Sequence, residues 1–174
     1  MFLTIVTSRA DTDRPFYVDA NYIFAFAVGI GLVAGLRSLL APAAVAWATH
    51  LGWLHLHNTP LGFMQTNVAL TIFSLLAVGE LVADLLPQTP KRTDLAPLLA
   101  RMVSGGFCGS CLCASAGKSL TVGAVLGAAG AVMGAFAGYE TRRRLVSKLN
   151  TRDYVVALGE DLVALGLAWF LVSR

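Results

Sequence analysis

Leu120-Thr-Val-Gly-Ala-Val-Leu-Gly-Ala-Ala-Gly-Ala-Val-Met-Gly-Ala-Phe-Ala-Gly-Tyr139 carries no charged residue over its whole length. A helix crosses the hydrocarbon core of a bilayer with roughly 20 apolar residues, and this stretch matches that length. Its glycines fall at helical spacing. Gly123/Gly127, Gly130/Gly134 and Gly134/Gly138 are small-xxx-small pairs, and Gly31/Gly35 is another upstream. A residue without a side chain lets a second helix approach its backbone closely. These seven glycines are therefore read as packing positions, inside one chain or along a homo-oligomer seam. The two uses are compatible.

Four more stretches resemble it: Asn21–His50, Thr66–Leu86, Leu95–Ala116 and Tyr154–Val172. Only 13% of the residues are charged and 56% are hydrophobic, whereas soluble domains run near 25% charged. The expected fold is all-α: a polytopic transmembrane helix bundle of about five spans, at 21–50, 66–86, 95–116, 120–139 and 154–172, with glycine-rich tight packing. Residues 21–174 make one domain and 1–20 a short cytoplasmic tail. Met1–Ser8 is too short for a signal peptide and lacks a basic segment before Asp11–Asp13, so the first span is read as an uncleaved start-transfer helix.

Charge placement orients the bundle. Lys91, Arg92 and Arg101 lie around the second loop, and Arg142, Arg143, Arg144, Lys148 and Arg152 around the fourth. Positive charge marks the cytoplasmic side, and with five spans these loops share it. A re-entrant third stretch would separate them. The expectation is a multi-pass protein of the bacterial inner membrane, N-terminus cytoplasmic and C-terminus periplasmic. Trp47, Trp53 and Trp169 then fall near the outer interface, and Tyr17, Tyr22, Tyr139 and Tyr154 near the inner one. The basic loops set orientation and contact anionic lipid, and no nucleic-acid partner is expected. Pro42 is expected to kink the first helix, and Pro87 and Pro90 end the second.

Ionisable residues inside a span cost roughly 2.5–3.5 kcal/mol each at its centre. Arg37 lies deep in the first stretch. Glu80 and Asp84 stand four apart on one face of the second. Glu160 and Asp161 lie near the inner end of the fifth. Arg101 and Glu140 are placed near the inner boundary, where long side chains snorkel. One reading makes Arg37, Glu80, Asp84, Glu160 and Asp161 an ion or substrate pathway. The other makes them a structural cluster that fixes helix register.

Cys108, Cys111 and Cys113 lie on different faces of a helix and lack a fourth ligand, so they read as packing residues. His50, His55 and His57 read as interface residues. No metal or cofactor is expected, and no nucleophile–base arrangement points to an enzyme. Gly31–Ser38 echoes Gly134–Thr141, and Val78–Glu80 echoes Leu158–Glu160, as an inverted repeat or by chance.

Ala34-Gly-Leu-Arg-Ser-Leu-Leu-Ala-Pro42, Gly79-Glu-Leu-Val-Ala-Asp-Leu-Leu-Pro87, Arg101-Met-Val-Ser-Gly-Gly106, Gly127–Tyr139 and Glu160-Asp-Leu-Val-Ala164 together resemble the bacterial membrane family known as domain of unknown function 4126. The resemblance runs from about Gly29 to Trp169. It implies a multi-helix integral membrane protein and no established activity. The function expected is a transporter or channel-like protein for an ion or small solute, with a seam of buried carboxylates and Arg37. The alternative is a non-catalytic accessory subunit docked to a membrane-protein partner.

Overall fold

The computed structural model describes residues 22–57, 59–83, 94–149 and 153–173. These form six α-helices: α1 (Ile23–Leu36), α2 (Leu40–His50), α3 (Asn67–Ala83), α4 (Leu95–Ser115), α5 (Leu120–Leu149) and α6 (Asp153–Val172). A 3-10 turn, Gly62–Gln65, precedes α3, and no strand occurs among the described residues. Two stretches, Leu95–Ser115 and Leu120–Arg144, are long and apolar enough to cross a membrane. Ile23–Leu36 and Asn67–Ala83 are shorter apolar helices.

The stretch 21–50 is not one kinked helix. It breaks at Arg37–Leu39, upstream of Pro42, with Arg37 extended at φ −140° and ψ 109°. Proline at 42 cannot donate to the carbonyl of Ser38, and its ring crowds that carbonyl. The clash therefore acts four residues before the proline. Pro42 itself sits third in α2, inside the first turn, where a missing N–H costs little.

The break also reverses the chain. Gly31 faces Gly127 and Gly35 faces Ala131, so α1 runs parallel to α5. Gly29 meets Leu171 while Arg37 meets Asp161, so α1 runs antiparallel to α6. Leu39 bonds Glu80 and Trp47 bonds Ser74, so α2 is antiparallel to α3. At its far end the chain after α2 stacks Trp53 edge-on against Trp169, ring centres 4.9 Å apart. Hence α2 runs parallel to α6 and opposite to α1. The two helices form a hairpin whose tip is Arg37–Leu39, and its open end lies beside the α4–α5 turn.

Tyr22 starts α1 at the tryptophan end, not at the end that holds Tyr139. The echo between Gly31–Ser38 and Gly134–Thr141 joins parallel helices, which removes the inverted-repeat reading.

Each arm of the hairpin buries one face. Ala27, Ile30, Val33, Ala34 and, on α2, Ala41, Val45, Ala46 and Ala48 are fully buried. Glycine lets the helices around α1 close in. A side chain at Gly127 would strike the carbonyl of Gly105 on α4, and one at Gly31 would strike the carbonyl of Gly127. Gly109 and Gly123 block each other in the same way. Gly130 and Gly134 face Val28 and Leu32 of α1, and Gly138 is buried further along α5. So α5 meets α4 and α1 with glycine on both faces. At the other end of two helices, Gly52 and Gly117 adopt left-handed φ of 76° and 64°. Trp53 N–H returns to Ala48 O, and Lys118 N–H to Cys113 O. Both helices thus end on the 6→1 hydrogen bond of a glycine cap.

Gly127→Ala should cost about 1–3 kcal/mol by overpacking. Gly79→Ala, on α3 with open space around it, should be neutral or stabilising by up to about 1 kcal/mol. Thermal unfolding of the two purified variants measures the contrast.

Candidate functional site

A break inside a buried helix exposes backbone groups that a continuous helix would satisfy. The last carbonyls of α1 and the first N–H groups of α2 need partners, and in an apolar interior each orphan is costly. Charged side chains supply them. Arg101 Nη1 donates to Gly35 O at 2.6 Å and to Leu36 O at 2.8 Å. A cation thus sits at the negative end of the α1 dipole. The Glu80 carboxylate sits at the positive end of α2. Its Oε1 accepts from Ser38 N–H and Ser38 Oγ, and its Oε2 from Leu39 N–H, each at 2.8 Å. The Ser38 carbonyl, the one Pro42 sets free, accepts a short hydrogen bond from Ser104 Oγ.

Arg37 occupies the tip itself and is 2% exposed. Its Nη2 and Nε lie 2.5 and 2.6 Å from Asp161 Oδ1 on α6. Its Nη1 donates to Glu80 O at 3.3 Å. The tip is therefore tied to α3, α4 and α6 at once.

The sequence-derived candidates divide accordingly. Arg37, Glu80 and Asp161 meet at the tip. Glu160, next to Asp161, is half-buried with Oε2 sealed from solvent. Asp84 lies outside the described residues. Glu140 is at the surface and is bonded by Arg144 at 2.7 Å and Arg143 at 3.2 Å. Arg101 corrects the expectation of snorkelling, because it is 7% exposed and points inward. Sequence reasoning missed Ser38, Arg101 and Ser104 as members of this cluster. A signal existed: Arg101 and Ser104 stand i, i+3 on α4, which puts both on one face toward the break.

Elsewhere, Cys108, Cys111 and Cys113 are buried free thiols. Among the described residues, no group of three or more His, Cys, Asp or Glu is gathered as a metal site.

The tip adjoins an apolar cleft of about 460 Å³. Its floor is α2 and its walls are α3 and α6. Leu40 and Leu81, each one residue from a member of the Glu80–Leu39 bond, close its lower end. Trp47, Trp53 and Trp169 flank the upper end.

With that geometry in place, the sequence matches the family described as Domain of unknown function (DUF4126) over residues 24–173. The chain belongs to this family. The match spans the hairpin, its tip and all four surrounding helices. No curated protein and no solved structure matches the chain.

Removing one partner of a buried ion pair costs more than removing both. Asp161→Asn should destabilise by about 3 kcal/mol, the lower end of the range for buried pairs, since the Asp161 side chain is 19% exposed. Arg37→Met combined with Asp161→Leu should recover part of that loss. Denaturant or thermal unfolding of the single and double variants decides it.

Proposed function

We propose that this chain is a small multi-pass membrane protein in which α3, α4, α5 and α6 cross the bilayer around a re-entrant α1–α2 hairpin. We read it as a transporter or channel-like protein for an ion or small solute, acting through the charged hairpin tip. The observation that carries this reading is the broken helix itself. Half-helix ends inside a bilayer are where membrane carriers hold charged cargo, and irregular backbone at that depth survives only when buried in protein or lining a cavity. Here a carboxylate and a guanidinium occupy those ends.

The working step follows from the bonds. Glu80 grips the start of α2 through Ser38 and Leu39 while it is anionic. A proton or cation on that carboxylate weakens the grip. The equilibrium between hairpin positions then shifts by the difference in binding between the two states. Arg37, held by Asp161, acts as counter-ion. Glu160 and Asp84 are the remaining acids of the pathway.

The basic ends of α4 and α5 support a cytoplasmic location for the hairpin tip side of the bundle. On this reading the protein lies in a bacterial inner membrane with its C-terminus outside. Tyr22 then lies on the outer side as well, so four crossings and a hairpin replace five crossings. A homo-oligomer belongs to the same proposal, with lipid-facing α3 and α6 as its outer surfaces.

The second reading, an accessory subunit, is favoured by the self-sufficiency of the tip. Arg37, Glu80, Asp161 and Arg101 all find protein partners, and a cluster that satisfies itself also serves as a rigid core. The mass of the complex extracted in mild detergent separates the two. A homo-oligomer supports the carrier, and a stoichiometric foreign subunit supports the accessory role.

In reconstituted vesicles, Glu80→Gln should abolish solute or proton flux while the protein still inserts and unfolds cooperatively. Loss of insertion instead would make Glu80 structural. The topology has its own test: Tyr22→Cys, Lys118→Cys and Ser173→Cys should react with an impermeant thiol reagent from outside the cell. Arg143→Cys should react only after permeabilisation. Tyr22→Cys reacting together with Arg143→Cys would restore the five-crossing arrangement.

A further inference from the structure

The cleft over α2 belongs to no step described above. Its depth comes from small side chains: Ala44 and Ala48 on the floor, Ala77 on one wall and Ala168 on the other. Its one hydroxyl lining group, Ser74 Oγ, already accepts from Trp47 Nε1 at 3.1 Å. No charged side chain lines it. Such a surface offers a polar ligand nothing to bind.

The cleft runs along α2 from Leu40 and Leu81 to Trp53 and Trp169 and offers about 460 Å³ of apolar space. An extended apolar chain lying along α2 fits that shape and lining. The walls continue outward into exposed Val78, Leu81 and Leu165, so the cleft opens onto the same surface that faces lipid in the proposed arrangement. At its upper end stand Trp53 and Trp169, amphipathic rings that suit the depth of lipid headgroups.

We propose that this cleft holds one acyl chain of a membrane phospholipid, headgroup at the Trp53–Trp169 end and chain tail at Leu40 and Leu81. The inference rests on the membrane reading given above. It adds a specific ligand that packs against α2, the half of the hairpin that Glu80 holds. Bound there, the chain fills the space into which α2 would otherwise move. The lipid therefore biases the hairpin toward the position described.

The protein carries its own probe. All three tryptophans of the chain, Trp47, Trp53 and Trp169, line this cleft. The full-length protein is purified from the membrane fraction in mild detergent and titrated with phosphatidylcholine brominated on its acyl chains. The expected result is quenching of tryptophan emission that saturates at one lipid per chain. Unbrominated lipid should reverse it. Ala168→Phe, which fills the cleft without adding a tryptophan, should remove the saturable phase. Val125→Phe, on the exposed face of α5, should leave it intact. Quenching that rises without saturation, equally in wild type and Ala168→Phe, would mean bulk lipid only and would overturn the proposal. So would saturable quenching that appears only when a dimer is dissociated, because a second copy would then own the cleft. If Ala168→Phe does not fold, the stoichiometry in the wild type still decides: saturation at one lipid per chain supports the site, and quenching that rises without limit overturns it. A chain absent from the membrane fraction would sink the membrane reading before any titration, so the two failures are distinguishable.

Discussion

A backbone N–H or C=O shut away from water must find a partner, and the helix break at Arg37–Leu39 concentrates that demand in one place. Pro42 makes the break by denying Ser38 its helical donor. The chain then uses three helices to meet the demand. Arg101 and Ser104 come from α4 and Glu80 from α3, while α6 sends Asp161 to balance Arg37. The charges are not scattered costs of an apolar protein. Arg101 and Glu80 are partners of one short stretch of irregular backbone, each matched to the sign of the helix end it faces, and Asp161 neutralises the arginine at the tip.

Helix existence and the pairing of Arg37, Glu80 and Asp161 were legible because both follow from local arithmetic: the length of apolar runs and the cost of leaving charge within them unpartnered. The glycine spacing likewise marks which faces are bare. The reversal was not legible. A single strand of reasoning from Pro42 predicts a kink at the proline, whereas the strain acts on the carbonyl four residues earlier, and only packing decides whether the chain bends or turns back. Arg101 was misjudged for a related reason. Residue counting put it near a boundary, where its long stem could reach water. The carbonyls of Gly35 and Leu36, which claim it, become available only once α1 ends.

The direction of α1 changes the meaning of several sequence features together. Parallel α1 and α5 turn an apparent repeat into two complementary bare faces. Tyr22 moves to the end that holds Trp53 and Trp169. The basic residues at the end of α5 and around Arg101 stay on one side, since α3 to α6 still alternate. Three irregular residues thus set the direction of α1 against all the helices that follow.

The placement of glycine also divides the molecule mechanically. Helices α1, α4 and α5 meet backbone to backbone through Gly31, Gly105, Gly109, Gly123 and Gly127, with no side-chain layer to deform. Across the hairpin tip, α2 presents its own Ala44 and Ala48 to an open cleft. The first half is thus fixed backbone against backbone, and the residues between Leu36 and Leu40 join to it a helix held by side chains. The start of α2 is fastened through Ser38 and Leu39 to one carboxylate of α3 and through the Ser38 carbonyl to one hydroxyl of α4. The same chain therefore packs one arm of its hairpin by shape and the other by a handful of polar bonds.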